Sequence, residues 1–234
     1  MFGYYYGFDM TYVYLVLPAL LLALWAQFRV KSTFQKFSTE YNRRGMTGQE
    51  VARFILDKNG LYNVRIEHVS GSMTDHYDPR TNVVRLSDTV YGSTSVAAIG
   101  VAAHEVGHAI QHSVGYFPIK VRSAIIPVTQ VASQLSMPLL LIGLIFNFSN
   151  LITLGILFFG LAVLFQLVTL PVEFNASGRA LRILEYGQLL DEEELRGAKK
   201  VLSAAAMTYV AATAVALAQL LRLIILFGGR RNDD

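Results

Sequence analysis

Cysteine is absent from the 234 residues, which excludes disulfides and thiolate metal sites at once. Charge is scarce as well: Asp, Glu, Lys and Arg make up only 16%, against roughly a quarter in an average soluble domain. The net charge of +3 is too small to suggest a polyanionic partner, so nucleic acid is not expected. What the chain has instead is apolar mass, with 53% hydrophobic residues and a mean hydropathy of +0.40. The few charges are clustered. Together these traits describe a polytopic membrane protein with one modest polar domain. The residues before the first apolar run contain no Lys or Arg, so the basic n-region of a secretory signal peptide is missing and a retained anchor is expected.

The opening residues to Thr11 are rich in aromatics, with Tyr4, Tyr5, Tyr6 and Phe8 ahead of Tyr12 and Tyr14, as suits a membrane interface. Tyr12 to Phe28 is uncharged and of near-spanning length, with Pro18 expected to kink it. Arg29, Lys31, Lys36, Arg43 and Arg44 follow. By the positive-inside rule that end is cytoplasmic and the N-terminus lies outside. Thr47-Gly48-Gln49-Glu50 has the form of a capping box opening a helix that ends at Gly60, burying Val51 and Ile55. Val64 to Val69 and Asn82 to Leu86 have strand character, separated by turn signals at Ser70-Gly71 and Asp78-Pro79. Lys120 and Arg122 mark a second cytoplasmic edge. Beyond them Ala124 to Phe148 and Leu151 to Leu170 form a hairpin of two spans, which Pro171 is expected to end or kink. A polar helix from Glu173 to Tyr186 comes next, then an acidic helix start at Asp191 to Glu194. The Ala-rich stretch from Val201 to Leu221 is expected as a further span, followed by Arg222, Arg230 and Arg231.

The expected fold is therefore a mostly α membrane protein with three or four transmembrane helices and a small α+β domain. Residues 1–28 form the anchor and 29–118 the cytoplasmic α+β half. Residues 119–171 form the hairpin, 172–200 cytoplasmic helices, 201–227 the Ala-rich helix and 228–234 a tail.

Within the apolar run from Val96 to Ile110 stands His104-Glu105-Val106-Gly107-His108, the pattern H-E-x-x-H. On a helix, residues four apart share a face, about 5–6 Å apart. His104 and His108 can therefore address one metal ion, with Glu105 placed as general base toward water activated there. Ser93, Thr94 or Ser95 is expected to cap that helix. Without cysteine, the metal expected is a single Zn2+ held by histidine and carboxylate. A catalytic zinc takes three protein ligands. His112 lies on the same face but about 12 Å from His104 along the axis, too far for one ion. The longer H-E-x-x-H-x-x-G-x-x-H form is absent, because Gln111 and Val114 hold the needed positions. His68 and His76 remain open as oxyanion donors or ligands. Glu173 is the stronger third ligand: no Asp or Glu occurs between Gly107 and Val172, and counting two spans returns it to the side that carries His104.

The runs from His104 to His112 and from Pro171 to Ala176 resemble the bacterial YugP-type membrane zinc metallopeptidases. So do Leu17 to Phe28, Ile66-Glu67-His68, the run from Thr74 to Thr81, and Leu86-Ser87-Asp88. The resemblance runs through most of the chain. It implies a zincin-like (minigluzincin) catalytic domain, with His104, His108 and Glu173 as zinc ligands and Glu105 as catalytic base. More distantly the chain is similar to CAAX-prenyl-protease-type membrane peptidases, whose glutamate ligand usually opens E-F-x-A-D. Here Ser177 stands where that Asp would be. The carboxylate that would orient a ligating histidine is thus missing, and Asn175 or Asp88 is expected to substitute.

The function expected is hydrolysis of peptide bonds at the cytoplasmic membrane face, acting on peptides or membrane-protein segments. Tyr209, His76 and Arg80 are candidate oxyanion donors, with His112 and Asn175 in supporting positions. The strand from Asn82 to Leu86 is a candidate sheet edge for an extended substrate. An intramembrane metalloprotease is the first alternative, since the Val96 to Ile110 run is apolar, but the run is short and flanked by polar sequence. A non-catalytic membrane scaffold with a vestigial metal site is the second.

Overall fold

The computed structural model describes residues 10–228; the tyrosines at 4–6, Phe8, Arg230 and Arg231 lie outside them. Six α-helices and three strands follow one another as α1 (Leu17–Phe37), α2 (Gly48–Lys58), β1 (Arg65–Val69), β2 (His76–Asp78), β3 (Val83–Ser87), α3 (Val96–Ser113), α4 (Phe117–Ile145), α5 (Ser149–Tyr186) and α6 (Glu192–Phe227). Among the described residues, α1 with the π-helical turn before it (Tyr12–Val16), α4, α5 and α6 are long and apolar enough to cross a membrane. The helix α3 is not one of them. The chain is a mostly α membrane protein with a small α+β domain.

By contact density the chain divides in two. One unit gathers the apolar helical segments, including Val121–Leu170 and the chain from Thr208 onward. Within it Gly155 lets the hairpin of α4 and α5 close, since a Cβ there would stand 3.0 Å from the Ser136 carbonyl oxygen. The π-helical turn precedes Pro18, whose ring and missing N–H disturb the regular ladder behind it.

The second unit, Gln27–Lys120 with Pro171–Met207, holds the sheet and the motif helix. Thr47 and Glu50 form the expected reciprocal capping box at the start of α2. Val51, Ala52, Ile55 and Leu56 on its inner face are buried against Leu86, Ile99 and Val106. Ser95 caps α3 by accepting from the Ala98 N–H. The sheet runs in the order β1-β3-β2, with β1 and β3 parallel and β2 antiparallel to β3. Its middle strand is thus β3, buried at Val83, Val84 and Leu86. That corrects the expectation of a substrate-binding edge at Asn82 to Leu86, because both flanks of β3 are already paired. The short strand β2, hidden in the sequence by its three residues, is an edge, and the Tyr77 N–H on it donates to Glu105 Oε2 at 3.0 Å.

A second correction concerns α5. No helix ends at Pro171: α5 continues unbroken to Tyr186, with Pro171 inside it. Glu173 is consequently a mid-helix residue rather than the start of a new helix, and a helix N-terminal dipole gives no reason for its presence.

Candidate metal centre

On α3, His104, Glu105 and His108 lie on the part of the helix turned toward β2 and α5. The imidazoles of His104 and His108 meet edge to face with ring centroids 4.7 Å apart. Glu173 reaches them from α5, its Oε2 lying 3.3 Å from His104 Nε2 and 3.5 Å from His108 Nε2. The Glu173 side chain is 3% exposed. One potential ligand atom from each of the three residues falls within 4.8 Å of the others. Two donors bound tetrahedrally to one zinc at about 2.0–2.1 Å stand about 3.3 Å apart, so the measured separations fit one ion shared by two imidazoles and a carboxylate.

Close approach of α5 depends on Gly107. A Cβ at that position would lie 2.8 Å from the Ala176 carbonyl oxygen and 3.3 Å from the Ala176 Cα. The glycine inside the motif is what lets the Glu173 backbone come near the two histidines.

Both imidazoles are held from behind by neutral groups. His104 Nδ1 lies 3.1 Å from Ser177 Oγ, and His108 Nδ1 lies 3.0 Å from Gln111 Oε1. The Gln111 amide nitrogen donates to the Val172 carbonyl at 2.8 Å and to Asn175 Oδ1 at 3.0 Å. Arg179 Nε donates to that same Asn175 oxygen at 2.7 Å. This chain has fixed ends, because a backbone carbonyl only accepts and a guanidinium only donates. The Gln111 oxygen must therefore face His108, whose Nδ1 carries a proton, so that the ring when neutral keeps its lone pair on Nε2, the nitrogen directed at Glu173. That is the tautomer a metal requires. Burial pulls the His108 imidazole toward a lower pKa, but its bond to Glu173 and the charges of Glu105 and Glu173 prevail and raise it. An environment that favours added positive charge on this ring also favours a divalent cation beside it.

The other candidates lie on the sheet and its loops, on α3 and on α6. His76 is exposed on β2, its Nδ1 against the Thr74 carbonyl at 2.8 Å and its Nε2 near Arg85. Arg80 is exposed in the turn after β2, where its N–H donates to Asp78 Oδ1. His68 pairs with Asp88 at 2.6 Å, and Asp88 also takes the Gly71 N–H. Asp88 is thereby committed away from the histidine ligands, which corrects its expected supporting role. His112 packs its ring against Tyr77 at 5.5 Å. Tyr209 lies on α6 in the unit of apolar helices. Sequence reasoning missed Gln111 and Ser177, each noticed only as a departure from a longer motif. Their spacing held a signal nonetheless: Gln111 lies three residues after His108, and Ser177 four residues, about one helical turn, after Glu173.

A family profile described as "Putative neutral zinc metallopeptidase" matches residues 12–228. The chain belongs to that family. It is similar to a protein of Bacillus subtilis (strain 168) named "Putative membrane protease YugP", with 50% identity over 225 residues, covering 96% of this chain and all of that protein. No solved structure matches. The zinc in the family's description agrees with a cluster of two histidines and Glu173 close enough to hold one ion, and the membrane named for the relative agrees with the four apolar helices.

Proposed function

We propose that this protein is a gluzincin-type endopeptidase that cleaves peptide bonds of peptides or membrane-protein segments at the cytoplasmic surface of the membrane. The observation that carries it is the convergence of His104, His108 and Glu173 beside the buried Glu105. Zinc held by His104, His108 and Glu173 would supply Lewis acidity toward a scissile carbonyl and a water. Glu105 would accept the proton of an attacking water on its free carboxylate oxygen and pass it to the leaving amine. The Tyr77 N–H holds one oxygen of Glu105, which aims the carboxylate and leaves its other oxygen for the proton. Gln111 and Ser177 hold the ligating rings in place, and Gly107 allows Glu173 to close the set. Basic residues support the cytoplasmic assignment: Arg29, Lys31 and Lys36 follow the apolar run of α1, and Lys120 and Arg122 stand near the start of α4.

The test is Glu105→Gln. The amide oxygen still accepts from Tyr77, so the fold and one zinc per chain should be kept. Peptide cleavage should fall about 10²–10⁴-fold, the usual contribution of a general base. Cleavage at the wild-type rate by that variant would sink the assignment.

A further inference from the structure

Away from the metal centre, a cleft of about 670 Å³ opens between the second half of α1 and the loop joining β1 to β2. From α1 it is lined by Phe28, Val30 and Phe34, with Lys31 the only charged side chain among the described lining residues; the loop contributes Ser72 and Met73. Phe28 is 74% exposed and Met73 50% exposed, so two large apolar side chains are left uncovered by protein.

The wall formed by the loop is built in advance. Asp88 accepts the Gly71 N–H at 2.7 Å and returns its own N–H to the Gly71 carbonyl. Asp75 takes both the N–H and the hydroxyl of Ser87. Between these two clamps Met73 is held at φ +58°, a conformation an unbranched L residue adopts only where its surroundings fix it. The loop thus presents Met73 to the cleft without waiting for a ligand to order it.

Position along α1 says what the cleft meets. The uncharged run ends at Phe28, and Lys31 follows about 4.5 Å further along the helix axis. The headgroup layer on each side of a bilayer is about 5–7 Å thick, so Lys31 lies at headgroup depth with Phe28 at the edge of the hydrocarbon. The lining has the same division: a cation and hydroxyls for a phosphate and its glycerol, aromatic and thioether surface for the start of an acyl chain. It holds no carboxylate to receive a cationic headgroup amine.

From this we infer that the cleft is a binding site for an anionic phospholipid, with the phosphate at Lys31 and the proximal acyl chain against Phe28 and Met73. The inference stands on α1 and the loop alone and is independent of the metal reading.

A chain without cysteine makes the test direct. Ser72→Cys, carrying a bimane fluorophore, is placed in nanodiscs of equal parts phosphatidylglycerol and phosphatidylcholine. Brominated acyl chains are carried on one lipid or on the other, so membrane charge is constant. The fluorophore should be quenched more strongly when the bromines are on phosphatidylglycerol, reflecting a preference of about fivefold for one lysine at the surface. Lys31→Glu should abolish the preference, whereas Lys36→Glu, the same charge change outside the cleft, should keep it. Far-ultraviolet circular dichroism and a monodisperse elution profile of each variant check that it is folded. Equal quenching by both lipids, or equal loss in the two lysine variants, overturns the proposal, the latter because it would show general surface charge rather than a site.

Discussion

Gly107→Ala perturbs a single contact on which the metal centre depends. The added Cβ would sit 2.8 Å from the Ala176 carbonyl oxygen and 3.3 Å from the Ala176 Cα. Both are backbone atoms, so no side chain can swing aside and the two helices must part. Overpacking of this kind costs about 1–3 kcal/mol, while replacing glycine by alanine inside a helix returns about 0.8–1 kcal/mol. Gly178→Ala, on α5, carries the same propensity gain with nothing within 4 Å of its new Cβ. The difference between the two variants therefore isolates the clash. Gly178→Ala should be stabilised by about 0.5–1 kcal/mol; Gly107→Ala should fall below it by the full overpacking cost of about 1–3 kcal/mol. Because Glu173 precedes Ala176 by three residues on one helix, the same displacement should spoil the 3.3 and 3.5 Å approaches to the histidines. Thermal unfolding of the metal-free proteins reads the first effect, and zinc affinity by chelator competition reads the second. If Gly107→Ala matched Gly178→Ala in stability and bound zinc like the wild type, the close helix approach would not be what assembles the site.

Gln111→Ala removes the acceptor from His108 and should weaken zinc binding about 10–100-fold; Ser177→Ala should do the same through His104, and unchanged chelator competition in both would show that the rings need no support. The pH dependence of stability should differ in sign between metal-free and zinc-loaded protein. His108 has its folded pKa raised, so its contribution is fully present below the unfolded value near 6.5 and is lost as pH rises through the folded value. From this group the metal-free protein should lose stability as pH rises above about 6.5 and through the raised folded value. The zinc-loaded protein should gain it, since protons and zinc compete for the same imidazole; parallel melting-temperature trends in the two forms would contradict the assignment. Thr47→Ala removes the side-chain acceptor of the Glu50 N–H and should cost about 1 kcal/mol in chemical denaturation.

Short-range signals were legible in the sequence by itself. Apolar runs of spanning length, the capping box at Thr47, a cap among Ser93, Thr94 and Ser95, and the four-residue spacing of His104 and His108 depend on residues within one or two turns of each other, and local geometry dictates them. Even the candidacy of Glu173 came from counting spans. Tertiary structure decided what lies between segments distant in sequence. The strand order put β3 in the middle, since a three-residue strand such as β2 shows no periodicity to announce itself. Pro171 was absorbed within α5, because a long packed helix tolerates one lost N–H where an isolated one would end. The partners of the two imidazoles, Ser177 at 73 residues' separation from His104 and the Gln111 bond to Val172 across 61 residues, exist only because α3 and α5 meet at Gly107. Sequence spacing fixes which side chains share a helix face; only the packing of one helix on another fixes which faces meet.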